Sequence, residues 1–289
     1  VPSDITALAP WFGAARLISR HVGDELAGCR WVGVPFAGGM TELLYIDAPT
    51  IVVSDIHRHV INLARCVQDE RLRPDLIRRL ARLPFHPDCL SEAQERCKLW
   101  ESSPSSERPC LSAATDYFVC CWMGRSGKAG IDDEFNGGLS IRWNANGGDS
   151  NTRYRSAIRS LVHWGRVMRR CNFSVMDCFD FIDRCEDADG HAIYCDPPFP
   201  EAGRRYRHNA GDTAEVEWHT RLWIKLARFF RTRVVCRFYD HPLIRELYPE
   251  PEWKWRRLKG RKQSNAEAPE VLVINGPSLA ADTEGGLFS

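Results

Sequence analysis

Two rhythms of apolar spacing alternate along this chain. Trp31 to Phe36 form a short, nearly continuous apolar run that predicts a buried strand; it closes on the Gly-rich turn Ala37-Gly38-Gly39, after which Leu43 and Leu44 open a helix. Ile51-Val52-Val53 predicts a second strand ending at Ser54-Asp55, and Val60, Leu63, Ala64 and Val67 then recur at helical spacing. Leu76, Ile77, Leu80 and Leu83 continue helically after Pro74, whereas the stretch 85–150 loses this regularity and is rich in Ser, Pro and Gly. Tyr154, Ala157, Ile158, Leu161 and Met168 share one helical stripe, and strands follow at Phe173 to Met176 and His191 to Cys195. Leu222, Trp223, Leu226, Phe229 and Phe230 mark a further helix, Val234 to Phe238 a strand, and Val271 to Ile274 a last strand. Strands alternating with helices predict an α/β fold with a mainly parallel, doubly wound sheet. Its halves are residues 1–84 and 151–289, and residues 85–150 are an insertion.

Composition narrows the class without naming a reaction. No apolar run approaches the roughly 18 residues of a membrane span, and Val1-Pro2-Ser3-Asp4 has neither the basic leader nor the apolar core of a secretory signal, so a cytoplasmic protein with no membrane partner is expected. The 12 cysteines are scattered without a Cys-x-x-Cys pair, which favours reduced thiols and no metal site. A net charge of +1 argues against a wholly electrostatic nucleic-acid binder and turns attention to local charge.

Ligands of a doubly wound sheet bind at the carboxyl ends of its strands, so the turns after Phe36, Val53, Met176 and Cys195 should line one crevice. Gly38 and Gly39 let a backbone approach a ligand closely, although a Gly-Gly pair is also a plain tight turn. Asp55, ending the second strand, suits ribose hydroxyls or equally a helix N-cap.

The turn Asp196-Pro197-Pro198-Phe199 is the most specific signal. An exocyclic amine on a conjugated ring is a poor nucleophile, because its lone pair is delocalised. A carboxylate at Asp196 and the carbonyl of Pro197 can accept its hydrogens and steer that lone pair outward. The prolines fix φ and remove competing N–H donors, and Phe199 offers a face on which an extruded base could stack. A Pro-rich strand terminus is the plain alternative. Asp196 follows Gly38 by 158 positions, far more than successive strands of a minimal sheet need; the excess matches the 85–150 insertion.

These motifs in this order resemble the Dam-like, alpha-group DNA adenine-N6 methyltransferases of bacteria and phages. Trp11-Phe12-Gly13-Ala14-Ala15-Arg16 is similar to the family's amino-terminal aromatic-Gly-Gly-Lys motif, with Arg16 in place of Lys. Pro35-Phe36-Ala37-Gly38-Gly39 resembles its glycine turn and Ser54-Asp55 its Asn-Asp. Asp177 stands where a contact to the cofactor's adenine is usual, and Glu270-Val271-Leu272-Val273-Ile274-Asn275 resembles a late Glu-Leu-Leu-Val-x-Asn strand. The resemblance implies a Rossmann-like methyltransferase sheet with an inserted target-recognition region, and S-adenosylmethionine as cofactor. That cofactor would be held by Trp11, Phe12, Gly13, Arg16, Pro35 to Gly39, Asp55, Asp177 and Asp196. It also implies methyl transfer to a flipped adenine in double-stranded DNA, and allows a cognate restriction enzyme as a further partner. RNA adenine and protein glutamine methyltransferases, which typically carry Asn-Pro-Pro-Tyr, and a catalytically impaired DNA-binding relative are the competing readings.

Basic residues suited to DNA lie in several runs. Arg153, Arg155, Arg159, Arg166, Arg169 and Arg170 form one; Lys254, Arg256, Arg257, Lys259, Arg261 and Lys262, interleaved with Trp253 and Trp255, form another. Each is also readable as a solvated face. Arg204, Arg205 and Arg207 follow Phe199 on an apparent loop over the site. Inside the insertion, Cys121 to Lys128, including Arg125, and Arg142-Trp143-Asn144 combine aromatic, basic and amide groups that can read base edges.

Overall fold

A computed structural model describes residues 7–11, 18–103, 108–125, 129–131, 133–143, 149–201, 215–261 and 267–280, with backbone only at 259–261 and 267–269. Its strands are β1 (Trp31–Val34), β2 (Thr50–Asp55), β3 (Cys171–Val175), β4 (His191–Cys195), β5 (Arg233–Tyr239), β6 (Lys254–Arg261) and β7 (Glu267–Ile274). Its helices are α1 (Ser19–Glu25), α2 (Arg58–Gln68), α3 (Leu72–Arg82), α4 (Pro87–Glu101), α5 (Leu111–Met123), α6 (Ser150–Met168), α7 (Cys178–Asp183), α8 (Glu215–Ala227) and α9 (Pro242–Leu247). The strand order is β3-β2-β1-β4-β5-β7-β6. Pairing is parallel from β2 through β1 and β4 to β5, and antiparallel where β7 joins β5 and β6 joins β7. The fold is therefore α/β and Rossmann-like, with an antiparallel β7 next to β5.

The chain divides into two compact units: Val1–Ala14, Gly38–Thr41 and His57–Val175; and Ala15–Ala37, Glu42–Ile56 and Met176–Ser289. In the first, α2 packs on α5 and α6, and α4 on α5. Trp164, Tyr117, Tyr154 and Phe118 are its largest fully buried side chains, and the Tyr154 hydroxyl donates to the Leu80 carbonyl at 2.9 Å. Here the expected irregular stretch is corrected, because it contains α4 and α5. Helix α5 is buried on all sides from Ala113 to Met123, so it has no polar face to set a period. Helix α4 buries only Leu90, Ala93 and Cys97, too few and too small to stand out.

In the second unit Phe179, Ile182, Ile193, Leu222, Leu226, Phe238, Tyr248, Trp253 and Trp255 share one core. A side chain of this size stabilises by about 1.5–3 kcal/mol when fully buried. Two polar anchors fix its edges. Asn275 accepts the N–H of Val234 at 2.7 Å and donates to the carbonyls of Phe229 and Thr232, which ties the end of β7 to the start of β5. Glu25, fully buried, accepts from Arg233, Arg256, Ser278 and the N–H of Leu279. The helix expected after the glycine turn is a 3-10 turn, Thr41–Leu44. Leu43 is fully buried there but no longer stripe follows it. Among the described residues no helix is long and apolar enough to cross a membrane.

Candidate active site

Strand β4 is buried from Ala192 to Cys195 and gives way at its carboxyl end to Asp196. Pro197 and Pro198 carry no N–H, so the ladder cannot continue past them. The Asp196 side chain is 22% exposed, while Pro197 is buried and Phe199 half-buried. Arg237, on the neighbouring β5, is only 4% exposed and bridges two carboxylates. Its Nη1 donates to Oδ2 of Asp196 at 2.9 Å and its Nε to Oε2 of Glu270, on β7, at 2.9 Å. The same guanidinium lies 5.2 Å from the Phe199 ring centre. Tyr239 meets that ring edge-on at 4.7 Å, and Phe238 lies at 6.2 Å.

Charge at the ends of these strands is lopsided. Burial raises the Asp196 carboxyl above the ordinary range, and Arg237 opposes the rise. Glu42, 5% exposed in the turn after β1, is pushed up to about 8 by burial, with the charges of Asp196 and Asp55 adding to the effect. Asp55 is the last residue of β2 and is half-buried. The N-cap of α2 is His57, so the capping role open to Asp55 belongs to a different residue. Asp177 caps α7: its Oδ1 accepts the N–H of Phe179 at 2.8 Å. Phe36 lies 6.2 Å from Trp218, and the N–H of Ala37 donates to the Ser54 carbonyl at 3.0 Å, which fixes the end of β1 against β2.

The glycine turn itself falls in the first unit. A Cβ on Gly38 would stand 3.1 Å from Trp11 Nε1, a tight contact, and one on Gly130 would stand 2.5 Å from the same indole, so Gly130 must be glycine for Trp11 to lie where it does. Gly39 is buried, and Met40, fully buried, takes a left-handed φ of 58° that a non-glycine residue seldom adopts. The ring of Trp11 meets His57 edge-on at 5.2 Å.

No protein-family model matches the chain, and no curated protein matches it in sequence. In structure it is similar to the rRNA methyltransferase aviRa from Streptomyces viridochromogenes, with 13% identity and a TM-score of 0.40 over 98% of this chain and 95% of that one. It is also similar to SMU.472, a candidate methyltransferase crystallised with SAH, with 15% identity and a TM-score of 0.28 over 69% of this chain and 55% of that one.

Phe12, Gly13, Arg16, Lys128, Arg204, Arg205 and Arg207 lie outside the described residues, as do the side chains of Lys259 and Arg261. Arg125, Arg142 and Arg257 are exposed. The basic run from Lys254 is an edge strand, β6, that was not expected. Its Trp253 and Trp255 are 6% exposed and belong to the core, and Arg257 lies 5.8 Å from the Trp255 ring centre. On α6, Arg155 donates to the carbonyls of Ala81 and Leu83, and Arg169, just past its end, pairs with Glu70, so part of that run ties neighbouring segments together. The residues missed by sequence reading are Arg237 and Glu42. A charged residue inside Val234-Val235-Cys236-Arg237-Phe238 was the available signal for the first, since burial of an unpaired arginine is prohibitive.

Proposed function

We propose that this chain is a site-specific DNA methyltransferase that moves the methyl group of S-adenosylmethionine to the exocyclic N6 amine of an adenine flipped from the duplex. The observation that carries this reading is the placement of Asp196. It is a partly exposed carboxylate at the carboxyl end of a central strand, held by Arg237 and followed by two prolines and a half-buried aromatic ring. The strand-end chemistry supports the cofactor: the Asp196 and Glu270 carboxylates flank the Arg237 guanidinium, and Asp55 adds to the acidic field felt by Glu42, a setting that favours a ligand bearing a sulfonium and an ammonium. Asp55 would take the ribose hydroxyls, and Asp177 and the turn from Pro35 to Ala37 would take the rest of the adenosine.

When bound, that cofactor would supply an electrophilic methyl group, the S–CH3 bond breaking as the new N–C bond forms and a neutral thioether leaving. Asp196 accepts one hydrogen of the adenine amine and the Pro197 carbonyl the other, which turns the nitrogen lone pair out of conjugation. As the N–C bond forms, the amine must lose one proton; the carboxyl of Asp196, raised by burial, is placed to take it. Phe199, with the edge of Tyr239 against it, gives the flipped base a stacking face. Arg125, Arg142 and Trp143, in the 85–150 insertion, are the described residues suited to reading the target.

The test is methyl transfer from labelled S-adenosylmethionine to duplex DNA, single-stranded DNA and RNA, with Asp196→Asn as the control. Label on adenine N6 in DNA, lost in the control, is the expected result. Label in RNA alone would assign the enzyme to the other substrate class.

A further inference from the structure

Arg237 touches both ends of the Asp-Pro-Pro-Phe turn. Its Nη1 is 2.9 Å from Oδ2 of Asp196, its Nε is 2.9 Å from Oε2 of Glu270, and its guanidinium carbon is 5.2 Å from the Phe199 ring centre. A guanidinium is planar with its donors in a fixed fork, so anchoring one edge on Glu270 fixes the direction of the other. Glu270 is 5% exposed and sits at the β5–β7 register pair Tyr239↔Glu270, which leaves the anchor little room to swing. Among the described residues Oδ1 of Asp196 makes no hydrogen bond, and the side chain keeps 22% exposure.

We infer that Arg237 is the positioning residue of this site: braced by Glu270, it fixes Oδ2 of Asp196 so that Oδ1 is the oxygen offered to the amine, and it steadies the Phe199 ring on which the base stacks. The inference rests on the proposed reaction for the amine, but the geometry it describes does not. A residue that only filled the core would have no need of a charge between two carboxylates.

Arg237 has an electrostatic consequence as well. Among the described residues the titratable groups around Asp196 are Glu42 from the turn after β1, Tyr194 from β4 itself, Arg237 and Tyr239 from β5, and Glu270 from β7. Arg237 is the cation of this described set, and its charge opposes the rise that burial and Glu270 give the Asp196 carboxyl. Removing Arg237 should raise the proton affinity of Asp196; removing the charge of Glu270 should lower it. Opposite shifts from two neighbouring substitutions are a signature that a packing defect does not produce.

The experiment compares Arg237→Gln, Arg237→Lys and Glu270→Gln with the parent in methyl transfer to duplex DNA across pH, and follows the Asp196 carboxyl by carbon-13 NMR, assigned with Asp196→Asn. In Arg237→Gln, transfer near neutral pH should fall about 100-fold, and the acidic limb should move up by about one pH unit or more. Activity then recovers in part as pH rises. Arg237→Lys should restore much of the limb's position and less of the rate, because an ammonium lacks the fork. Glu270→Gln should move the limb down. An unchanged limb and an unchanged Asp196 titration in Arg237→Gln would overturn the inference. If that variant fails to fold, an unmoved limb in Glu270→Gln overturns it equally. Should the parent transfer nothing to DNA while Asp196 still titrates higher in Arg237→Gln, the proposed reaction fails and the positioning role stands.

Discussion

His57 and Glu134 form a closed pair within the first unit: Nε2 of His57 lies 2.8 Å from Oε1 of Glu134, and each side chain is 2% exposed. Both far ends are engaged. Nδ1 of His57 accepts the N–H of Val60 at 3.4 Å, so the ring proton sits on Nε2, and Oε2 of Glu134 accepts the N–H of Gly130 at 2.9 Å. One carboxylate thus joins the start of α2 to the Gly130 turn against which Trp11 rests. Glu134→Ala strands two buried donors, at about 1–3 kcal/mol each, and urea unfolding should show a loss of that order. A change within about 0.5 kcal/mol would mean the pair is idle. The pH dependence has a definite sign. Burial alone would raise the Glu134 carboxyl, but His57 and the Gly130 N–H outweigh it and hold it below its ordinary 4.5. Below 4.5 the unfolded chain therefore binds the extra proton, and the stability Glu134 contributes above that pH is lost as pH falls. Glu134→Gln should flatten this acid limb.

Glu42 carries the opposite sign. Its folded value of about 8 lies above the ordinary 4.5, so between those limits the folded state holds a proton that the unfolded state has released. The stability of the buried neutral acid is full below 4.5 and is lost as pH rises toward 8, at about 1.4 kcal/mol for each unit of difference. Glutamine mimics the neutral acid and does not titrate. Glu42→Gln should match the parent near pH 5 in urea midpoint and exceed it near pH 8. A constant difference across that range would show that Glu42 is ionised in the folded protein.

Much of the sheet was legible because its strands are apolar runs closed by recognisable turns. β4 ends where the run to Cys195 meets Asp196, and α2 shows its buried stripe from Val60 to Val67. What escaped notice did so for physical reasons. α5 lacks a polar face, so its apolar residues read as noise inside a polar segment. β6 alternates Lys and Arg with Trp255 and Leu258, and an edge strand with one solvated face looks like a basic nucleic-acid run until its pairing with β7 is known. In the site, Asp196 announced itself by its prolines. Arg237 could not: its partners Asp196 and Glu270 are distant in sequence, and only the β4-β5-β7 order brings the three together.

Asp55 and Asp177, both strand-end acids, should separate when each is replaced by alanine. Asp177 caps α7 through the Phe179 N–H, and loss of a cap costs about 1 kcal/mol. The N-cap of α2 is His57 and not Asp55. Asp177→Ala should therefore lower the thermal midpoint, whereas Asp55→Ala should weaken binding of S-adenosylmethionine by about tenfold, the loss of one charge-assisted hydrogen bond. Calorimetry in which Asp55→Ala weakens DNA binding more than cofactor binding would remove Asp55 from the ribose.

Trp143 is 91% exposed, and Ile141, two residues before it, is 53% exposed, with the exposed Arg142 between them. Single exposed apolar residues are common on folded proteins, but a tryptophan this open gains little for stability. Its indole instead offers a flat face beside a cation, the combination on which nucleic-acid bases stack, at about 1–3 kcal/mol per base. If the insertion reads DNA, Trp143→Ala should raise the KM for duplex DNA about tenfold while the thermal midpoint and the affinity for S-adenosylmethionine stay as they were. Trp143→Phe, which keeps a stacking face, should lose much less. A lowered midpoint in Trp143→Ala would reveal a packing role instead, and an unchanged KM with unchanged stability would take Trp143 out of DNA recognition.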